Sequence, residues 1–130
     1  GFFYEPTVLT EVEETMEVMR EETFGPVLPV VPVRDFGEAL KRANASHYGL
    51  GATLFTNDVR KVRRYMEEIE AGNVWVNDPL IDNVAGPFGG MKRSGLGREL
   101  GEEGLLDFME TKHVHWEIEG GIKPWWYPWA

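Results

Sequence analysis

Residues 52–76 read ATLFTNDVRKVRRYMEEIEAGNVWV. Ala52 to Thr56 is a short apolar run with the length and composition of a buried strand. Asn57 or Asp58 then offers a side-chain oxygen to the free amides of a helix start. Val59, Val62, Met66 and Ile69 fall on one stripe at helical spacing. Gly72 stands where a helix commonly ends in the left-handed conformation. Val74-Trp75-Val76 is β-branched and aromatic, which suits a second strand. Strand, helix and strand at this spacing predict a βαβ unit, whose crossover makes the two strands parallel.

The same alternation continues outward. Phe2, Phe3 and Tyr4 with Thr7 to Leu9 predict extended structure interrupted by Pro6. Glu13 to Met19 predicts a short acidic helix. Leu28 to Val33 is a continuous apolar run with two prolines, confined to a sheet edge if the pairing is antiparallel. Phe36, Ala39, Leu40 and Ala43 form an amphipathic stripe that Asp35 would start, and Tyr48 to Gly51 breaks it. Downstream, a loop is expected from Asn77 to Gly97 and a helix from Arg98 to Met109. A last strand is expected over 111–118, where apolar residues alternate. The predicted class is α/β, a mostly parallel sheet with flanking helices.

Composition narrows the function. The chain has 130 residues, 42% of them hydrophobic and 12% aromatic, which fits one folded domain rather than a disordered segment. Its net charge is −9, and the densest basic run, KVRRYMEE at 61–68, ends in acids. That balance excludes the basic stripe of a nucleic-acid partner and suits a cytoplasmic protein. No stretch approaches the roughly 20 apolar residues of a membrane span. There is no cysteine, so disulfides, thiolate metal sites and thiol nucleophiles are excluded. The apolar beginning GFFYEPTVL reads as a cut edge rather than a frayed terminus.

Two stretches carry candidate chemistry. GPFGGMKRSGLGRELG at 86–101 holds six glycines, yet matches neither the P-loop nor the dinucleotide fingerprint. It reads either as a tight surface loop or as a loop shaped against a pocket, with several positive-φ corners. EETFGPV at 21–27 sets acids and a Phe at a Gly-Pro corner, where a turn alone needs only the Gly and Pro. Phe24 is either a core ring under that turn or a ligand contact.

Taken together, PTVL (6–9), EETFGPV (21–27), YGL (48–50), AGNVWVN (71–77) and PFGGMKRSGLGREL (87–100) occur in an order and spacing that resembles the C-terminal portion of an NAD(P)-dependent aldehyde dehydrogenase. The resemblance implies that residues 1–110 belong to the catalytic domain, 111–118 to an oligomerisation strand, and 119–130 to an aromatic tail outside the motifs. It implies that Glu22 binds the nicotinamide ribose hydroxyls, since a carboxylate accepts two hydrogen bonds from a vicinal diol, and that Phe24 packs near the nicotinamide. Phe88 would form an aromatic wall of the aldehyde pocket, and the loop Leu80 to Val84, with Ile81 and Asp82, would border its mouth. An apolar wall keeps water from a thioester intermediate. Glu99 matches a carboxylate of a proton relay; read alone, it serves equally as a first-turn helix acid.

The family's reaction requires a cysteine thiolate to attack the aldehyde before hydride passes to the cofactor. The isolated chain, lacking cysteine, is therefore expected to be inactive, with its nucleophile, base and most NAD or NADP contacts on a cysteine-containing remainder, and to self-associate through 111–118. Two other readings stand beside this one: a non-catalytic interaction or oligomerisation module, and a small ligand-binding domain built on the Gly-rich loop. His113 and His115 share a strand face without an evident third metal ligand, and no metal site is expected. Asn44-Ala45-Ser46 is a glycosylation sequon only in a secreted chain. Trp125, Trp126, Tyr127 and Trp129 are expected to dock on a partner or on the domain itself.

Overall fold

A computed structural model of the chain describes residues 1–78, 81 and 83–126. Tyr127 and Trp129 of the aromatic tail, and Leu80 and Asp82 of the predicted pocket mouth, lie outside the described residues. The first strands, β1 (Thr7–Leu9) and β2 (Val27–Pro29), are linked by α1 (Glu17–Arg20). They pair in parallel, with Thr7 opposite Val27. The apolar run expected over Leu28 to Val33 thus contributes to the ladder only as far as Pro29, plus one bond from Val30 N to Leu9 O at 2.8 Å. Its prolines lack the donors that a longer ladder needs.

The central βαβ unit forms as predicted. β4 (Gly51–Leu54) and β5 (Asn73–Val76) pair in parallel around α3 (Val59–Glu68). Asp58 is the N-cap, its side chain accepting from the Arg60 amide at 3.0 Å. Gly72 does not cap the helix, which ends at Glu68 with Ile69 as its extended C-cap. Gly72 is required for a different reason: a Cβ there would lie 1.9 Å from the Gly89 carbonyl oxygen. α2 (Phe36–Ala45) precedes this unit. The Asp35 side chain accepts from the Glu38 amide at 2.9 Å, satisfying a free helix donor.

Asn44 ties the two long helices together. Its amide donates to Glu68 O at 2.7 Å and accepts from Glu70 N at 2.9 Å. Leu40, Tyr65 and Ala71 are the buried apolar residues beneath this junction. Tyr48–Gly49, expected only to break a helix, forms β3 and pairs antiparallel with β6 (Met91–Lys92), a strand inside the predicted loop. Among the described residues, two of the three strand pairs are parallel.

The C-terminal part departs further from expectation. The helix predicted over Arg98 to Met109 is α4 (Gly101–Leu106). Arg98 and Glu99 cannot be helical because Glu99 bridges to Phe88, with Phe88 N to Glu99 O at 2.6 Å and Glu99 N to Phe88 O at 2.7 Å. Leu100 then turns the chain at φ 60°. Residues 111–118 form no ladder with the other described residues and are exposed throughout. A strand needs a neighbour, and none of the described residues supplies one.

The exposed area is the other notable feature. A compact monomer of 14.8 kDa leaves roughly 7,000 Å² accessible, whereas this chain leaves 11504 Å². The excess is apolar in large part: Phe24, Phe55, Phe108, Trp116 and Ile118 are each more than half exposed.

Candidate functional site

The Gly-Pro corner holds Glu22 and Phe24 in a tight turn. Gly25 N donates to Thr23 O at 3.0 Å, and Val27 N donates to Gly25 O at 2.8 Å. Phe24 is 93% exposed, so the core alternative for this ring fails. Glu22 sits at the rim of an open cleft of about 500 Å³, together with Arg20, Tyr48, Gly49, Arg93 and Ser94. Among the described residues, the Glu22 carboxylate has neither a hydrogen-bond nor an ion-pair partner, so both oxygens are free to accept.

A second cleft, about 180 Å³, brings together Phe88 and Ile81, with Trp75, Asn73, Asn83 and Gly86 around them. The Trp75 indole N–H donates to Ile81 O at 2.9 Å, pinning the loop against β5. The indole can lie there because Gly51 has no side chain; a Cβ at Gly51 would stand 2.5 Å from Trp75 Cζ3. Glu99 is held beside this cleft through its backbone bridge to Phe88. Its side chain is exposed and lines neither cleft. Its position before α4, with Leu100 as the N-cap, excludes the reading as a first-turn helix acid.

The Gly-rich segment contributes Gly86, Pro87 and Phe88 to this cleft. Gly95, Gly97 and Gly101 take positive φ, whereas Gly86, Gly89 and Gly90 do not. Gly89 and Gly90 are instead sites of close approach, where a Cβ would meet Gly97 O at 2.7 Å and Ser94 backbone at 2.5 Å. Arg98 lies inside this turn, its Nη1 donating to Gly90 O at 3.0 Å and Gly97 O at 2.7 Å. Its own amide donates to Asp107 Oδ2 at 2.8 Å.

Three positioning residues were not anticipated from the sequence. Asn73 is buried, and its amide donates to Leu50 O at 2.6 Å and Gly89 O at 3.1 Å, joining β5 to the Leu50 link between β3 and β4 and to the Gly-rich turn. Ser94 Oγ accepts from Gly49 N at 2.9 Å. Lys92, at φ 56°, donates from Nζ to Asn44 O at 2.8 Å and Ser46 O at 3.0 Å, and pairs with Glu70 at 2.7 Å. A polar residue opening a β-branched strand, as Asn73 does, was the available signal.

The largest electrostatic perturbation lies away from both clefts that hold the predicted residues. Hydrogen bonds from the Arg34 side chain and amide, then from Arg42, hold the Glu38 carboxyl at about 2. Burial pushes the Tyr65 hydroxyl up. Among the described residues there is no cluster of three metal-ligating side chains, and His113 and His115 are both exposed.

Comparison with known proteins gives a consistent result. Residues 1–114 match the Aldehyde dehydrogenase family. The chain is 47% identical over 128 residues to the chloroplastic aminoaldehyde dehydrogenase of Arabidopsis thaliana, covering 98% of this chain and 25% of that protein. It is 48% identical over 114 residues to the NADP-linked succinate-semialdehyde dehydrogenase of Deinococcus radiodurans, covering 88% of this chain and 24% of that one. The crystal structure of Staphylococcus aureus betaine aldehyde dehydrogenase in complex with NAD+ superposes with a TM-score of 0.88 at 38% identity, over 98% of this chain and 25% of that one. The chain therefore spans about a quarter of the length of the relatives it matches.

Proposed function

The chain belongs to the aldehyde dehydrogenase family, and from that premise we propose that it is the C-terminal portion of a cytoplasmic enzyme oxidising an aldehyde to a carboxylic acid with NAD or NADP. In this reading the cofactor accepts the hydride, and the residues of this chain bind, orient and exclude water. Glu22 accepts hydrogen bonds from the nicotinamide ribose diol, and Phe24 packs against the ring. Phe88, Ile81 and the neighbouring Asp82 form one wall of the aldehyde pocket, and Glu99 relays a proton at its edge. Residues 111–118 pair with a second subunit.

The observation that carries this reading is the uncovered surface. About 4,500 Å² beyond the compact expectation is several times what one partner gives to a standard interface, about 800 Å². A chain that lacks cysteine needs that companion for the nucleophile as well. The unpartnered segment 111–118 also favours a second reading, a non-catalytic module kept for pairing. A small ligand-binding domain receives less support, since Gly89 and Gly90 pack against backbone rather than around a ligand-sized space. The named relatives include enzymes for aminoaldehydes and for succinate semialdehyde, so likeness alone leaves the charge of the aldehyde open.

The test is reconstitution. The chain is mixed with a cysteine-bearing companion covering the other three quarters of the family fold, and NADH formation is followed with a panel of aldehydes. Activity is expected only from the mixture, and Glu22→Gln is expected to raise the cofactor KM about tenfold, the effect of one charge-assisted bond weakened to a neutral one. Turnover by this chain alone would refute the proposal.

A further inference from the structure

We propose that Glu14 and Arg42 are positioning residues for the cofactor contact, their ion pair setting where the Glu22 carboxylate stands. This rests on the reading of Glu22 as the partner of the nicotinamide ribose. Glu22 is carried by residues 10–25, the connection from β1 to β2, which contains no buried residue. The chain enters this connection at Glu11, at φ 56°, a conformation that a non-glycine residue keeps only where its surroundings hold it. Within the connection the backbone bonds to itself: Met16 N to Glu13 O, Met19 N to Met16 O and Glu21 N to Glu17 O. Among the described residues, the one side-chain hydrogen bond or ion pair that leaves it runs from Glu14 Oε1 to Arg42 Nε, at 3.4 Å.

The far side of this tie is rigid. Arg42 stands on α2, which Asn44 fixes to Glu68 O and Glu70 N. Its guanidinium is already set by Glu38, whose Oε1 accepts from Arg42 Nη2 at 2.9 Å and Nε at 3.1 Å. Glu38 is set in turn, its Oε2 accepting from the Arg34 amide at 2.9 Å and Arg34 Nε at 2.8 Å. An exposed pair usually contributes little because two long side chains must be ordered, and it contributes more inside a network that has ordered one of them. The near side is loosely packed. Two open clefts, of about 500 and 560 Å³, lie between the connection and the end of α2, and Met19, Arg20, Ala43 and Ser46 line both. The connection therefore borders open space, with Glu14 as its polar tie to α2. Only α1 and Glu21 stand between Met16 and Glu22, so a displacement at Glu14 is carried on to the carboxylate.

The test separates this inference from the reading beneath it. First, backbone 15N relaxation is measured by NMR on the full chain, parent and Glu14→Gln. The heteronuclear NOE of Met19, Glu21 and Glu22 is expected to fall while that of α2 stays unchanged; equal values at all three would overturn the inference whatever the enzyme does. Second, the reconstituted complex is assayed for its cofactor KM and its kcat. Glu14→Gln is expected to raise KM about two- to fivefold, the fold-change equivalent of an exposed ion pair, with kcat unchanged. The ratio of variant to parent KM is expected to approach one at about 0.5 M NaCl, where exposed charges are screened. In an Arg42→Gln background Glu14→Gln is expected to add nothing, whereas additive effects would overturn the pairing. A KM unchanged by Glu14→Gln in a complex where Glu22→Gln does raise it overturns the positioning role alone. A complex in which neither variant changes KM refutes the reading of Glu22, and the relaxation data then still decide the tie.

Discussion

Replacing Asn73 by Asp changes one atom's hydrogen-bonding sense at the point where three segments meet. The side-chain amide now donates to Leu50 O at 2.6 Å and Gly89 O at 3.1 Å, and the residue is 8% exposed. A carboxylate in the same place loses both bonds and faces two carbonyl oxygens with negative charge. Each lost bond costs about 0.5–1.5 kcal/mol net. Leu50 O keeps the Asn73 backbone N–H at 3.0 Å, so Gly89 O is the carbonyl left without its donor, at about 1–3 kcal/mol. Because water reaches part of this region, the lower ends apply, and Asn73→Asp is expected to cost about 2–4 kcal/mol at pH 7. Asn73→Ala, which removes the donors without adding charge, is expected to cost about 1–2 kcal/mol less than that.

The two variants also differ in pH dependence. Burial beside two carbonyls raises the pKa of the introduced carboxyl in the folded state above its unfolded value. The penalty is therefore complete above the raised folded value and shrinks as pH falls through it, when the protonated acid regains one donor. Urea midpoints by circular dichroism at pH 7 and pH 4, for both variants and the parent, measure this. The Asp variant is expected to be the least stable at pH 7 and to gain on the Ala variant at pH 4. An Asp variant as stable as the parent at pH 7, or a deficit independent of pH, would refute the role given to Asn73.

Gly72→Ala places a methyl 1.9 Å from Gly89 O and 2.9 Å from Gly89 C, both backbone atoms, so the turn must move; a loss of about 3 kcal/mol, at the upper end of overpacking costs, is expected in thermal melts, and an unchanged Tm would contradict the close approach. Glu38 has its carboxyl lowered from 4.5 to about 2 by Arg34 and Arg42, so its stabilisation is present above the unfolded value and is lost as pH falls from 4.5 towards 2. Glu38→Gln is expected to remove that part of the acid sensitivity; an acid titration identical to the parent would count against the pairing. Lys92→Met leaves Asn44 O and Ser46 O without the donors they have at 2.8 and 3.0 Å and is expected to lower stability by about 1–2 kcal/mol, read from the urea midpoint.

The parts legible in the sequence were those governed by local rules. The caps Asp58 and Asp35 place the starts of α3 and α2. The stripe expected on α3 is only partly right: Ile69 falls on the C-cap, Val59 and Met66 are exposed, and the buried residue is Tyr65. Phe88 and Ile81 line one cleft together, while their part in an aldehyde pocket belongs to the proposal above. The failures share a cause, which is that non-local contacts decided them. Gly72 matched the helix-ending pattern, yet its constraint comes from Gly89, seventeen positions later by their numbers. Glu99 was assigned to a helix because nothing in its own neighbourhood reveals a bridge to Phe88. Lys92 reads as a solvated charge until the carbonyls of Asn44 and Ser46 are seen above it. The alternation at 111–118 is a strand signal without a partner among the described residues.

On the reading proposed above, a larger, cysteine-bearing polypeptide completes this chain and covers its exposed apolar surface. Native mass spectrometry of gently purified material, with the intact mass of every chain present, tests it most directly. The expected result is a complex in which this 14.8 kDa chain accompanies a companion containing cysteine, or is joined to it in one longer polypeptide. A chain found alone, or only with copies of itself, and stable in that form, would contradict it.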